Sequence, residues 1–321
     1  MLTYSIEETL FLVEHNLDNS TLLARYASLN STVLKIEKEN NIFALKIYNG
    51  DTSRKKRSLR HELVAFSTFN GTTPLRVAKL FSYSEKFPSI CYTWIHGETP
   101  TNLVSAKEYL EECILDLNVN FRTYSCDLMA VDAVENYSNL IRQIDFRNKK
   151  RKVEYRLPNN LFMKFDNSFE IIQSYRDKVS PLRIDTLSLS DYGLHNLIQD
   201  NFGCIYSIDF EFFGKDSTIK VLSDLITHPK SVFTSDDIFR LMSKMNYGEN
   251  DLINLHQYLP AIALKWAHIT LKHNINSKGI FDPDYVRFEN PYNYLEYIDF
   301  ILETPRLTFP CTYVEFKNMR E

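Results

Sequence analysis

The sequence predicts an α+β protein in which a small N-terminal lobe with an antiparallel sheet precedes a larger, mainly helical C-terminal lobe. Residues 32–48 contain two strand-like runs around a three-residue turn, a pattern typical of a β-hairpin. Over 54–70 the apolar residues recur at helical spacing, with Ser53 as a candidate N-cap. After Gly97 the apolar spacing becomes predominantly helical. Together, these observations favour a sheet-bearing lobe followed by a helical one.

The lobe boundary is expected after residue 95, which gives an N-terminal lobe of residues 1–95 and a C-terminal lobe of residues 96–321. Two further strands are expected before the boundary, within 75–85 and 89–95. The predicted segments of the second lobe are helical stretches in 104–145 and 160–180, a strand-rich island at 187–214 and a helix over 251–273.

Composition excludes several classes of protein. The chain has 321 residues, 44% of them hydrophobic and 24% charged, which are values typical of a globular protein with a sizeable core. Glycine occurs only 8 times, and no set of glycines forms G-x-G-x-x-G or G-x-x-x-x-G-K-[ST]. A dinucleotide-binding fingerprint and a Walker A loop are therefore absent in their usual forms.

Charge and cysteine content argue against several further kinds of protein and site. A net charge of −4 does not suggest a protein that coats nucleic acid, and no run of apolar residues is long enough to predict a membrane span. The first residues lack the basic segment of a secretory signal. The 5 cysteines form no C-x-x-C pair, so neither a zinc site nor a disulfide framework is indicated. We expect a cytoplasmic protein.

The first candidate functional residue is Lys46, within the second strand of the hairpin. Alternate side chains of a strand share a face, so Ala44 and Lys46 point together, opposite Leu45. A lysine in an apolar strand is commonly an edge residue whose ammonium reaches solvent. Alternatively, Lys46 has a functional role in this strand.

Glu62 is the second candidate, because it lies on the apolar stripe of the predicted helix beside Leu59 and Phe66. A carboxylate drawn toward a core is costly unless a cation pairs with it, and Lys46 is the nearest candidate in sequence. A lysine on a strand paired with a glutamate on the next helix is the arrangement that holds ATP phosphates in protein kinases. Alternatively, Glu62 is only a boundary residue of the stripe.

The island at 187–214 carries the third group. Asp191 and Asn196 fit the pattern D-x-x-x-x-N, and Asp209 follows a short strand thirteen residues later. In phosphoryl transfer, the first acid orients and deprotonates a hydroxyl, while the amide and the second acid hold Mg²⁺ through oxygen. Each residue alone is a weak signal, since Asp and Asn are common in loops. Their order and spacing, downstream of the lysine and glutamate, make the combination much more specific.

These motifs resemble the aminoglycoside phosphotransferase/choline kinase-type family, which has a protein-kinase-like fold. Ala44-Leu45-Lys46 resembles the strand with the ATP-binding lysine, and Glu62 in LRHELVAF resembles its helix partner. SDYGLHN resembles the catalytic loop at Asp191 and Asn196, and IDFEFFGKD resembles the metal-binding segment at Asp209. The resemblance implies a two-lobed fold with ATP and Mg²⁺ as cofactors, Asp191 as the catalytic residue, and Asn196 and Asp209 as metal ligands.

The same resemblance implies further contacts with the nucleotide. CYTWIHGETP resembles the hinge, where the backbone of Thr93 and Ile95 would contact adenine. The phosphate-binding loop falls at 24–32, which contains no glycine, so Ser31 and its polar neighbours would donate hydrogen bonds instead. Asp216 and Asp224 fall where such enzymes carry structural carboxylates.

The catalytic loop departs from the pattern of the family at two positions. Leu189 stands where the family usually has histidine, and Ser190 replaces the glycine that follows it. We interpret the first change as altered packing.

Two charged regions have alternative interpretations. The basic runs 53–60 and 147–152 would suit a polyanion, but such runs are more often solvated faces. The acids of the C-terminal region would suit a cationic acceptor and equally an acidic surface. These acids are Asp282, Asp284, Glu289, Glu296, Asp299 and Glu303.

The predicted function is transfer of the γ-phosphoryl group of ATP to a hydroxyl of a small molecule, such as an aminoglycoside, a sugar or an amino alcohol. No membrane partner and no nucleic-acid partner are expected. One alternative is a nucleotide-binding pseudokinase that acts as a regulatory or scaffolding protein. The glycine-free loop favours this hypothesis. A nucleic-acid binder that uses the basic runs is a weaker alternative.

Overall fold

The computed structural model describes residues 3–28, 30–69, 73–282, 289–305 and 308–320. The chain forms two compact units, each assembled from segments that are separate in sequence. Unit 1 comprises Met1–Asp116, Arg122–Val131 and Leu194–Gly214. Unit 2 comprises Leu117–Phe121, Asp132–Gly193 and Lys215–Glu321. The units and the predicted lobes divide the chain differently, and the lobe boundary after residue 95 stays a prediction.

The main sheet of unit 1 is antiparallel, with the strand order β1-β2-β3-β5-β4 in the described part of the chain. Its strands are β1 (Thr21–Ala27), β2 (Ser31–Lys38), β3 (Asn41–Tyr48), β4 (Leu80–Ser84) and β5 (Ser89–Thr93). The predicted hairpin is present as β2 and β3. Its turn places Glu39 and Asn40 at φ values of 53° and 64°, a left-handed conformation that Asn adopts more readily than most residues.

Helices α1 (Ile6–Glu14) and α2 (Thr52–Thr68) also belong to unit 1. The prediction of Ser53 as the N-cap of α2 is wrong, because the cap is Asp51, whose side chain accepts a hydrogen bond from Arg54 N–H. A carboxylate at this position also interacts favourably with the positive end of the helix dipole. The buried face of α2 includes Leu59, Glu62 and Phe66.

A second sheet of unit 1 brings residues of the 187–214 island together. It contains β6 (Gly97–Glu98), β8 (Leu197–Asp200) and β9 (Ile205–Ser207) in the order β6-β8-β9. A Cβ atom on Gly97 would lie 2.1 Å from the carbonyl oxygen of Gln199, so only glycine permits this close strand approach.

Aromatic side chains fix the segment that follows β9 against α2. The ring of Phe210 lies 5.9 Å from that of Phe66, and the ring of Phe213 lies 5.1 Å from that of Phe69. His61 Nδ1 lies 2.6 Å from the carbonyl oxygen of Phe213. Aromatic pairs at these separations add to the stabilisation from burial alone. The segment around Asp209 is therefore held by the same helix that carries Glu62.

Unit 2 is mainly helical, with a short pair of strands. Helix α3 (Leu103–Val119) starts in unit 1 and ends in unit 2. The remaining helices are α4 (Tyr137–Glu154), α5 (Asn159–Gln173), α6 (Thr218–Thr227), α7 (Ser235–Lys244), α8 (Glu249–His273), α9 (Pro291–Glu303) and α10 (Tyr313–Asn318). The paired strands are β7 (Thr186–Ser188) and β10 (Gly214–Asp216). The structure confirms the predicted α+β class, and within the described ranges none of the helices is both long and apolar enough to cross a membrane.

Helix α8 packs against α4, α6 and α9, and charged residues are buried at this core. Lys265 Nζ on α8 lies 2.9 Å from a carboxylate oxygen of Asp132, while Lys220 pairs with Asp224 on α6. Asp216, which is fully buried, accepts hydrogen bonds from the N–H groups of Val134 and Ser217 through one oxygen. Burial raises the pKa of Asp216 to about 6, although Lys220 opposes the rise.

Asp216 makes stability depend on pH in a defined window. Its carboxyl has a pKa of about 6 in the folded protein and an ordinary value of 3.8. Between these values the folded state binds more protons than the unfolded state, so this residue's contribution to stability falls as pH rises. Asp216→Asn should remove that fall, which is about 2 kcal/mol between pH 4.5 and pH 7. The measurement is the free energy of unfolding in urea at pH 4.5 and at pH 7.

The exposed residue Asp236, in the first turn of α7, offers a matched control. Asp236→Asn should leave the difference in stability between the two pH values close to that of the unchanged protein. If Asp216→Asn leaves it equally unchanged, the raised pKa is wrong.

Candidate active site

Lys46 is at the centre of the candidate site and is 2% exposed. Its Nζ lies 2.7 Å from Glu62 Oε2 and 2.7 Å from Asp209 Oδ1. The predicted ion pair between Lys46 and Glu62 is therefore confirmed, and the alternative of an exposed edge lysine is wrong. One ammonium on β3 thus joins a carboxylate on α2 to a carboxylate that follows β9.

The electrostatic balance keeps Lys46 charged. Burial acts to lower the pKa of Lys46, but the carboxylates of Asp209 and Glu62 outweigh burial and hold this pKa well above its ordinary value. Tyr48 adds a third contact, because its hydroxyl donates a 2.7 Å hydrogen bond to Glu62 Oε2. Sequence reasoning missed Tyr48, although its position two residues after Lys46 places it on the same face of β3.

Asp209 presents its carboxylate in an unusual backbone conformation. Its φ is 67°, a left-handed value that costs a residue with a Cβ atom about 1–3 kcal/mol. The aromatic neighbours Phe210 and Phe213, packed against α2, hold the segment in place. The side chain of Asp209 is 39% exposed, so a ligand can reach the carboxylate while Lys46 holds one of its oxygens.

Asn196 and Asp209 meet through the β8–β9 hairpin. Leu197, which follows Asn196, is paired with Ser207, and Ile208 N–H donates a 2.9 Å hydrogen bond to the carbonyl oxygen of Asn196. The hairpin thereby places Asn196 at the same end as Asp209. Their proximity follows from strand register, which the spacing of the two residues in the sequence did not reveal.

Glu211 is an acid of this region that the sequence prediction did not assign. It is 1% exposed, and Asn30 Nδ2 donates a 2.6 Å hydrogen bond to its Oε1. Within the described ranges, its buried Oε2 has no hydrogen-bond partner. Burial, together with the negative charge of Asp209, raises the pKa of Glu211. Its position two residues after Asp209 was the available sequence signal.

The donor set of this region fits a hard divalent cation. Asp209 and Glu211 supply carboxylates, and Asn196 supplies an amide, all oxygen donors of the kind that Mg²⁺ prefers. The partnerless Oε2 of Glu211 is an oxygen that a cation would satisfy. The residues present are therefore compatible with the metal that the sequence resemblance implies.

The predicted nucleotide contacts Thr93, Ile95 and Ser31 also lie in unit 1. Thr93 N–H donates a 2.9 Å hydrogen bond to the carbonyl oxygen of Lys79, so this donor is already used within the sheet. Ile95 is half-buried just after β5. Ser31 begins β2 and is buried, and its N–H donates to Ser28 Oγ at 3.1 Å. Their roles toward a nucleotide stay predictions.

Asp191, the predicted catalytic residue, belongs to unit 2. Gly193 N–H donates a 3.0 Å hydrogen bond to Asp191 Oδ1, and His228 Nε2 lies 3.7 Å from the same oxygen. The carboxylate is 37% exposed, and the imidazole ring of His228 packs edge-on against Trp266 at 5.1 Å. Sequence reasoning missed His228, since nothing in its local pattern marks it.

Local hydrogen bonds support the predicted catalytic loop at the two positions, Leu189 and Ser190, that depart from the resembled pattern. Ser190 has a φ of 64°, the conformation for which glycine is favoured. Its N–H donates to Ser188 Oγ at 2.9 Å, and the hydroxyl of Tyr192 accepts from Leu189 N–H at 3.3 Å. Tyr192 is buried, which raises the pKa of its hydroxyl.

The acids predicted near an acceptor are partly neutralised. Glu289 is buried and pairs with Lys317 at 3.2 Å, while Glu296 pairs with Arg320. Asp284 lies outside the described residues. These pairs weaken the argument for a cationic acceptor from this region.

The basic run 147–152 is not simply a solvated face. Arg151 is 1% exposed and pairs with Asp166 at 2.5 Å, so this part of the interpretation is wrong. Its guanidinium also packs on the ring of Phe165 at 5.0 Å. A partnered, buried arginine serves the packing of unit 2.

Removing the ammonium of Lys46 should destabilise the protein, because the carboxylate of Glu62 would stay buried without a cation. Lys46→Met leaves Glu62 charged and buried without a cation, which should lower the free energy of unfolding by about 3–5 kcal/mol. Adding Glu62→Gln removes the stranded charge, so the double variant should be more stable than Lys46→Met alone. Urea unfolding of the three proteins at pH 7 measures both effects.

Lys79 is an exposed lysine of the same unit and supplies the comparison. Lys79→Met should change the free energy of unfolding by no more than about 0.5 kcal/mol. A loss in Lys46→Met as small as that would contradict a buried, shared ammonium.

Comparison with known proteins identifies the fold. No family model and no curated protein matches the sequence. Solved structures do match along nearly the whole chain. Aminoglycoside phosphotransferase APH(4)-Ia is 11% identical with a TM-score of 0.59, over 92% of this chain and 97% of that one. The choline kinase LicA from Streptococcus pneumoniae is 13% identical with a TM-score of 0.59, over 93% and 99%.

A third match is APH(2")-IIa in its gentamicin complex, which is 13% identical with a TM-score of 0.58, over 96% of this chain and 99% of that chain. Identities this low support likeness of fold alone. The chain therefore has the protein-kinase-like fold that aminoglycoside phosphotransferases and choline kinases share, as the resemblance of its motifs predicts.

Proposed function

We propose that the protein is an ATP- and Mg²⁺-dependent phosphotransferase that moves the γ-phosphoryl group to a hydroxyl of a small molecule. One observation carries the proposal, namely the buried ammonium of Lys46 held by both Glu62 and Asp209. A lysine fixed in this way is pre-oriented toward phosphate oxygens, and the second carboxylate belongs to the segment that would bind metal. The fold in which this arrangement occurs is that of known small-molecule kinases.

Nucleotide recognition is assigned to unit 1. Lys46 would contact the phosphates, and Glu62 would fix the lysine without touching ATP. The backbone of Thr93 and Ile95 would contact adenine, and Ser31 would contribute to the phosphate-binding loop. Known structures of this fold support nucleotide binding, since they include an ATP complex of APH(2")-IIa and an AMP complex of LicA.

Asp209 and Asn196 would hold Mg²⁺, and the partnerless oxygen of Glu211 makes that residue a third candidate ligand. When bound, the ion neutralises charge on the phosphates. Glu62 is kept from this role by its contacts with Lys46 and Tyr48. The different roles proposed for these acids therefore follow from the residues that each acid contacts.

Asp191 would act on the acceptor. Its carboxylate accepts the proton of the acceptor hydroxyl as the hydroxyl oxygen forms a bond to the γ-phosphorus. The bond from that phosphorus to the bridging oxygen of ADP breaks, and ADP leaves. Gly193 N–H and His228 would orient the carboxylate for this task. Most of the rate enhancement would come from positioning and charge neutralisation.

The acceptor class is proposed from the similar structures. They include complexes of APH(2")-IIa with gentamicin and with streptomycin, and the choline kinase LicA. An aminoglycoside, a sugar or an amino alcohol would each offer a hydroxyl to Asp191. A release assay for ADP, run with Mg²⁺ and a panel of these acceptors, identifies the substrate class and measures turnover.

The pseudokinase alternative retains one supporting observation, the glycine-free loop at 24–32. A regulatory protein of this kind would bind ATP without releasing ADP, whichever acceptor is supplied. The same assay therefore separates the two functions.

Asp191 and Asp209 should respond differently to the same substitution. Asp191→Asn removes the proton acceptor and should lower kcat by about 10²- to 10⁴-fold while MgATP still binds. Asp209→Asn removes a charged metal ligand, so turnover should fall and require a higher Mg²⁺ concentration. Calorimetric titration with MgATP and the ADP assay, on both variants, make the comparison.

Asp236→Asn, a change of an exposed carboxylate on α7, should leave both readouts at the level of the unchanged protein. Near-normal transfer by Asp191→Asn to a verified acceptor would contradict the catalytic assignment, whatever happens in Asp209→Asn.

A further inference from the structure

We propose that Arg54 binds the terminal phosphates of the nucleotide, in place of the backbone donors that a glycine-rich loop would supply. The inference rests on the proposed function, because it assigns a new residue to the same nucleotide site. It starts from the loop between β1 and β2, where the family resemblance places phosphate binding and the sequence contains no glycine.

The backbone N–H groups of the described loop residues Ser28, Asn30 and Ser31 already donate hydrogen bonds within the loop. The N–H groups of Asn30 and Ser31 donate to Ser28 Oγ at 3.3 and 3.1 Å, and Ser28 N–H donates to the carbonyl oxygen of Ser31 at 2.8 Å. A phosphate cradle needs several N–H groups that point at the ligand. In the part of the loop that the structure describes, these N–H groups are instead engaged in hydrogen bonds with other atoms of the loop, chiefly Ser28 Oγ. We therefore expect side chains to supply most of the phosphate binding here.

Arg54 is the cation that the structure directs to this loop. Its Nη2 donates a 2.5 Å hydrogen bond to Asn30 Oδ1, and Asn30 Nδ2 donates a 2.6 Å hydrogen bond to Glu211 Oε1. The carboxamide of Asn30 thus links the guanidinium to the acid that lies two residues beyond Asp209. The three residues come from α2, the β1–β2 loop and the segment after β9, so the link exists only in the folded protein.

The backbone before α2 makes room for this arginine. Gly50 has a φ of 107°, and a Cβ atom there would lie 2.9 Å from Arg54 Cδ. Arg54 is also half-buried, as is Lys55, whereas Lys56, Arg57 and Arg60 of the same basic run are exposed. The hydrogen bond to Asn30 and the close approach of Gly50 therefore specify the position of Arg54.

Charge and donor count favour a phosphate as the ligand. Lys46 is the ammonium shared by Glu62 and Asp209, and Glu211 adds a third acid to the region. A triphosphate brings more negative charge, which a second cation would offset. Within the described ranges, Arg54 makes one side-chain hydrogen bond, to Asn30, and the planar fork of a guanidinium leaves further N–H donors for phosphate oxygens.

The test separates phosphate recognition from a structural role. Calorimetric titrations with ATP, ADP and adenosine, each with Mg²⁺, are made on the unchanged protein, Arg54→Gln, Arg54→Lys and Arg57→Gln. Arg57 lies on the same helix and is exposed, so it controls for the loss of one positive charge.

Arg54→Gln should weaken ATP binding by about 10- to 100-fold, the range expected for lost charge-assisted hydrogen bonds, and leave adenosine binding unchanged. Arg54→Lys should fall between Arg54→Gln and the unchanged protein, because it keeps the charge but loses the fork. Arg57→Gln should bind all three ligands normally. The midpoint of thermal unfolding without nucleotide confirms that each variant is folded.

Three outcomes would overturn the proposal. If Arg54→Gln binds ATP as tightly as the unchanged protein, Arg54 does not contact phosphate. If it weakens adenosine and ATP equally, or if Arg57→Gln weakens ATP as much, the effect is structural or general electrostatics. If the unchanged protein binds no nucleotide, the proposed function fails together with this inference, and that result is distinct from the other two.

Discussion

The buried ammonium of Lys46 is the interaction on which the rest of the candidate site depends. It is placed on an interior strand, where desolvation makes an unpaired charge very costly, and it is stabilised by carboxylates from two other elements. Glu62 supplies one carboxylate from α2, and Asp209 supplies the other from the segment after β9. The shared cation offsets the repulsion between these two carboxylates. The ion triad therefore joins three separate parts of the chain at one point.

Aromatic packing and strand pairing position the charged residues of the site. The ring of Phe210 packs against Phe66 of α2, and the ring of Phe213 packs against Phe69, the C-cap of that helix. The strand register of the β8–β9 hairpin brings Asn196 to the same end as Asp209. This rigid support maintains Asp209 in a left-handed backbone conformation. Strain of this kind persists only where the surroundings fix the residue, and such sites are often functional. Asp209 thus offers a solvent-accessible carboxylate, while its backbone is held in place and Lys46 binds one of its oxygens.

Much of the arrangement could be predicted from sequence because it is local. Alternation in a strand and periodicity in a helix were enough to orient Lys46 and Glu62 toward each other. The contact of Asn30 with Glu211 could not be predicted, because these residues are 181 positions apart and are joined only by the tertiary fold. The N-cap of α2 was misplaced by two residues because Asp51 and Ser53 are both good caps. Helix ends are the part of the pattern that short-range signals determine least.

The most direct test of the central claim is a crystal structure of the protein with Mg²⁺ and a non-hydrolysable ATP analogue. We expect phosphate oxygens at Lys46 Nζ, with the Lys46–Glu62 ion pair intact and the metal bound by Asp209. An analogue bound elsewhere, or a complex in which Lys46 has left Glu62, would contradict the claim that this shared ammonium organises the nucleotide site.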